Sequence, residues 1–149
     1  MVPMWTDVAQ AMGAIGALLV AIIGFFILII QIRQLERAIR SDTHSSLYSQ
    51  CFDTTKLFYL NAKFLPYVYE NKDLSKDDPS FYELSVLVEI IADFFEHIAL
   101  QKTNLPDEVW NHWNNYIRSI YKSCPLLREH FRKRAEWYSE AILGLFKNI

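Results

Sequence analysis

The sequence predicts an all-α protein: a single N-terminal transmembrane helix continuing into a cytosolic antiparallel helical bundle. Three observations carry this reading. Residues 11–30, AMGAIGALLVAIIGFFILII, hold no charge. Beyond them, apolar residues recur at steps of three and four, the helical period. No segment shows the apolar–polar alternation of a strand.

The first element is the apolar run. At ~1.5 Å per residue its twenty positions span about 30 Å, the thickness of a bilayer's hydrocarbon core. A cleavable signal peptide starts with a basic region and has a shorter apolar core ending at small residues. Here MVPMWTDVAQ has no Lys or Arg, and the run ends in Phe and Ile. Arg33, Arg37 and Arg40 follow it. Positive charge marks the cytoplasmic side, so the expected topology is N-terminus outside, C-terminus cytoplasmic, in a cell inner membrane. Trp5 takes the place of an interfacial aromatic. The expected organisation is a short extracytoplasmic end at 1–7, a transmembrane helix at 8–31, a juxtamembrane stalk at 32–46 and a cytosolic helical bundle at 47–149.

The remaining elements follow from stripes and breakers. Leu28, Ile32, Leu35 and Ile39 carry the helix past the bilayer. Ser41–Ser46 reads as a polar helix turn or a short hinge. Apolar spacing resumes at Leu47, Cys51 and Phe58 and runs to about Tyr69, where NKDLSKDDP breaks it. Asp78 and Pro79 signal a helix start. That helix, to about Gln101, is apolar over most of its surface and predicts the central element of the domain. Leu105 and Pro106 restart the chain, with Asp107 and Glu108 suited to a helix N-terminus. Trp110, Trp113, Ile117, Ile120 and Tyr121 form its stripe. Ser123-Cys124-Pro125 reads as a turn, and one last helix is expected from Pro125 to about Lys147. Short connections imply antiparallel neighbours, hence a four-helix cytosolic bundle on a membrane stalk.

Composition narrows the function classes. The net charge of −2 gives no overall bias toward nucleic acid. Cys51 and Cys124 match no metal or redox spacing. Of the four glycines, three lie in the apolar run, which leaves no glycine-rich loop to cradle a phosphate. His44, His97, His112 and His130 are scattered, with no HExxH. The chain therefore reads as a non-enzyme with no cofactor and no metal.

Four residue sets are candidate sites. Gln10, Ala14, Ala17, Ala21, Gly24, Leu28 and Gln31 follow one another at steps of four and three, small within the bilayer and polar at each edge. Such a face lets helix backbones approach closely and points to a homo-oligomer, with pore lining as the further step. Arg33, Arg37 and Arg40 share a face just inside the membrane. They satisfy the positive-inside rule and bind anionic headgroups, and in a symmetric oligomer they form a basic ring. Arg128, Arg132, Lys133 and Arg134, near Tyr121, Lys122 and Trp137, read first as a solvated face with Glu129 and Glu136 as ion-pair partners. The same set is the candidate for a nucleotide or oligonucleotide ligand, charge for phosphate and rings for bases. Glu89, Asp93, Glu96 and His97 share one helix face. Without paired Glu-x-x-His units this reads as an acidic face paired by arginine, with a partly buried His97.

Phe94-Phe95-Glu96, Leu105-Pro106, Trp110, Trp113, Ile117, Pro125 and Arg132 to Trp137 resemble a family of small bacterial membrane proteins of unassigned function. The resemblance covers roughly the last third of the chain and rests mostly on packing residues. It implies one N-terminal membrane helix and an all-helical cytosolic tail. The layout is similar to that of membrane effectors in bacterial anti-phage systems, some of which open ion-conducting pores. The function expected is a homo-oligomeric, ion-channel-like membrane effector controlled by a ligand or regulatory protein at its cytosolic domain. The alternative is a membrane-tethered scaffold that recruits a protein partner.

Overall fold

The computed structural model describes residues 4–147 and is all-helical in its regular structure, with no strand among the described residues. Of the expected extracytoplasmic end 1–7, residues 1–3 lie outside the described part. The elements are α1 (Met4–Leu60), α2 (Leu65–Tyr69), α3 (Phe81–Leu100), α4 (Asp107–Ser123), α5 (Pro125–Lys133) and α6 (Glu140–Phe146). Short 3-10 turns lie at Ala62–Phe64, Lys102–Asn104 and Ala135–Trp137. The chain divides into two compact units, Met1–Ser41 and Asp42–Ile149.

Over residues 11–30 α1 is apolar on every face. Consecutive residues on a helix point ~100° apart. Leu18, Leu19, Val20, Ile22 and Ile23 are all exposed, so no side of the helix is covered. Its most apolar 18-residue window has a mean hydropathy of 2.9 and none of it is buried. This is one helix near the N-terminus long and apolar enough to cross a membrane.

The second unit holds all the buried apolar residues found among the described ones. Leu47, Val68, Leu84, Ile98, Ile117, Leu127 and Ile142 are fully buried and come from all six helices. Among the described residues no charged or polar side chain is buried with them. α3 supplies the most, from Leu84 to Ala99, and contacts both α5 and α6.

Several boundaries differ from the sequence reading, each for a local reason. Ser41–Ser46 is helical, the first of its two readings, and the boundaries that differ lie beyond it. The helix expected to reach Tyr69 instead ends at Leu60. Asn61 caps that end, donating through both its backbone N–H and its side-chain amide to the Leu57 carbonyl, at 3.0 and 2.9 Å. Pro66 then lacks the N–H a continuous helix needs, and α2 starts afresh around it. Asp78 and Pro79 form a turn ahead of α3: the Asp78 carboxylate accepts from the Ser80 N–H at 2.8 Å, and the helix begins at Phe81.

The expected last helix is two helices. α5 stops at Lys133, and Ser139 in an extended conformation opens α6. The break lets Tyr138 turn into the core, 8% exposed, with its ring 4.7 Å from Phe131. Tertiary partners on α3 hold the broken segment, as described next.

Candidate functional site

The first candidate set lies along α1 in the first unit. Gln10, Ala14, Ala17, Ala21, Gly24, Leu28 and Gln31 are all exposed. A methyl group built on Gly13, Gly16 or Gly24 meets nothing within 4 Å. The face is therefore open to a partner helix or to lipid. Arg33, Arg37 and Arg40 are exposed on the same helix. Arg40 pairs with Glu36 at 2.7 Å, one turn earlier. Arg33 and Arg37 have no ion-pair partner among the described residues, so their charge is not offset by the chain itself.

The C-terminal basic set is divided between two places. Arg128 is committed to the chain itself. Its Nη1 donates to the carbonyls of Tyr121, at 3.2 Å, and Lys122, two of the free carbonyls at the end of α4. Its Nη2 donates to Asn71 Oδ1 at 3.1 Å. Asn71 has a φ of 56°, a left-handed conformation that Asn tolerates better than most residues. The Asn71 N–H donates to the Ser123 carbonyl at 2.8 Å, and the Ser123 hydroxyl donates to the Val68 carbonyl at 2.8 Å. One arginine thus ties the ends of α2 and α4 together. Arg128 and Arg132 share a cavity of about 550 Å3 with Tyr121, but Asp73 and Glu129 line it too. Tyr121 is stacked on Phe146 at 3.8 Å, which covers one face of its ring.

Lys133 and Arg134 face elsewhere. Lys133 pairs with Glu129 at 2.5 Å, and this hydrogen bond holds the Glu129 carboxyl below its ordinary range. Arg134 pairs with Glu89 at 2.7 Å and lies over the Trp137 ring at 4.5 Å. Both basic residues line a second cavity, about 150 Å3, between α3 and α5.

The acidic face of α3 holds the broken C-terminal segment. Glu89 takes Arg134. Asp93 Oδ1 accepts from the Tyr138 hydroxyl at 3.1 Å. Glu96 Oε1 accepts from the Ser139 backbone N–H at 2.6 Å, where α6 begins. His130 Nε2 lies 2.7 Å from the Tyr138 oxygen. The hydroxyl has one proton, and with it given to Asp93 the histidine nitrogen is the donor. Burial, then the Arg134 charge, lowers the His130 pKa, while burial and the Asp93 charge raise that of Tyr138. The arginine pairing expected of this face is present at Glu89. Asp93 and Glu96 hold neutral donors.

No family model, curated protein or solved structure matches this chain. No group of three or more His, Cys, Asp or Glu side chains among the described residues is placed to hold a metal ion. His97 is half-buried and lines a groove with Asp53 and Asp93. Cys124 is buried at the start of α5, its thiol pushed up by burial against the lowering effect of the Leu127 and Leu126 N–H groups.

One arrangement had no signal in the sequence. Tyr48, Val109, His112, Trp113 and Tyr116 line a small cavity. Trp113 and Tyr116 carry helical spacing, but Tyr48 lies far away in the chain, and only the fold brings them together.

Proposed function

We propose that this chain is a single-pass inner-membrane protein, N-terminus outside and C-terminus cytoplasmic, which self-associates through its N-terminal helix. In this reading it is a non-catalytic, ion-channel-like effector, of the kind used in bacterial anti-phage defence. The helical domain, read as an antiparallel bundle from its short connections, controls how the membrane helices pack. The observation that supports a membrane location is the exposed apolar circumference of α1, none of its most apolar window being buried. The face Gln10, Ala14, Ala17, Ala21, Gly24, Leu28 and Gln31 is the packing and pore-lining candidate, and Arg33, Arg37 and Arg40 form a basic collar beneath it.

A ligand at the domain is part of the proposal. The cavity with Arg128 and Arg132 suits a phosphate-bearing ligand less well than charge counting suggests, because Asp73 and Glu129 share it. A membrane-tethered scaffold is the second reading. It draws on Tyr82 and Val86, one turn apart on α3 and 79% and 60% exposed.

Topology is tested with single cysteines in a Cys51→Ala, Cys124→Ala background. Met4→Cys reacts with an impermeant thiol reagent in intact cells, and Asn148→Cys reacts only after lysis. The reverse pattern removes both the orientation and the cytosolic-sensor reading.

A further inference from the structure

Three aromatic rings from two helices form a box in the second unit. Tyr48 of α1 and Trp113 and Tyr116 of α4 enclose a cavity of about 190 Å3, completed by Val109 and His112. The Tyr48 and Trp113 centroids are 5.6 Å apart with their planes at 63°. Those of Trp113 and Tyr116 are 6.1 Å apart at 72°. The rings stand at steep angles, as walls, and do not lie in a flat stack. Val109, Trp113 and Tyr116 sit three and four positions apart, so they share one face of α4.

Two walls are fixed and one is open. Trp113 is 8% exposed and is backed by Phe94 at 5.9 Å. Tyr116 is half-buried, with Phe95 5.7 Å away at 81°. Tyr48 is 55% exposed and is supported by the His44 ring at 4.7 Å. A guest therefore has a packed aromatic corner to enter beside an exposed tyrosine.

The lining selects the guest. None of the five side chains carries a carboxylate, an ammonium or a guanidinium. Aromatic faces carry the negative lobe of the ring quadrupole and attract cations. A primary ammonium needs hydrogen-bond acceptors for three N–H groups, and aromatic faces do not replace its water. A quaternary ammonium has no N–H to satisfy, and its charge is spread over apolar methyl groups. We propose that this box binds a quaternary ammonium group, the trimethylammonium head of a choline-type solute or lipid. The proposal does not depend on the ion-channel reading.

The test uses the full chain in a maltoside detergent, which contains no choline. Choline and its uncharged tert-butyl isostere are titrated in parallel by saturation-transfer NMR and calorimetry. Choline is expected to bind about tenfold more tightly than the isostere, the preference a desolvated cation–π site gives. Tyr48→Phe keeps that preference. Tyr48→Leu, at an exposed position, loses most of it without changing the helical circular dichroism. Nanodiscs of phosphatidylcholine that compete with choline, where phosphatidylglycerol discs do not, identify a lipid headgroup as the source. Equal choline binding in both discs identifies a soluble one. Equal binding of choline and the isostere overturns the proposal in favour of an apolar slot, and so does an absence of choline binding by the folded protein.

Discussion

Tyr138 shows how one side chain settles the path of the C-terminal segment. Its ring packs on Phe131, and its hydroxyl joins Asp93 on α3 to His130 on α5. Burial and the neighbouring Arg134 charge favour the neutral form of His130 in the folded protein, while the Glu89 and Asp93 charges oppose them. The unfolded chain takes up a proton first as pH falls below about 6.5, the ordinary histidine value. Protons bound preferentially by the unfolded state make stability rise with pH. The contribution of His130 is thus fully present above that value and is lost as pH falls below it. The thermal midpoint of the protein should therefore drop between pH 7.5 and 5.5. His130→Gln, which keeps a donor and removes the titration, should flatten that drop. An unchanged slope in the variant would assign the acid sensitivity to other groups.

Helices that carry their own punctuation could be read from the chain. α4 opens after Pro106 with Asp107 and Glu108 in its first turn, and α5 opens at Pro125, both at the positions expected. α6 could not be read this way. Seven residues are too few for a stable helix in water, so it exists through Ile142 in the core and the Glu96 carboxylate on the N–H of Ser139, the residue that caps it. That carboxylate lies 43 positions from Ser139, beyond any local pattern. The Glu129 ion pair expected of the basic cluster forms with Lys133, but how the cluster divides was not legible, for a related reason. Arg128 and Arg132 are four apart and share a cavity, whereas Lys133 and Arg134 turn to the next face of the chain. α1 raises the opposite problem, since the sequence shows its small-residue face plainly and only assembly can give that face a role. Under the proposal, Ala17→Leu keeps the helix apolar but holds neighbouring backbones apart. The purified protein should be a detergent-stable oligomer by mass measurement, and Ala17→Leu should shift it toward monomer. A monomeric unmutated protein at micromolar concentration would leave the pore reading without a basis.

The two units divide the apolar content of the chain in different ways. All the buried apolar residues found belong to residues 42–149, so that unit closes a core of its own. The apolar surface of α1 in the first unit has no protein cover, and in water such a surface is unfavourable by roughly 25 cal/mol per Å2. Lipid or further copies of the helix supply the cover in the proposed assembly, and the two leave different signatures. A passive anchor is indifferent to which apolar face is altered. A pore is not, because one face lines the axis. With Gln10 and Gln31 at the two mouths, Leu28 is the bulky apolar side chain on that face, and an apolar ring blocks ions by dewetting. Phe26 lies two positions away, about 200° around the helix, so in the proposed pore it faces lipid. Leu28→Ser should therefore let water into the constriction, leak ions in planar bilayers and slow growth on overexpression. Phe26→Ser, equal in lost hydrophobicity or nearly so, should do neither. Equal effects from the two substitutions, or no conductance from either, would reduce α1 to an anchor and leave the scaffold reading in its place.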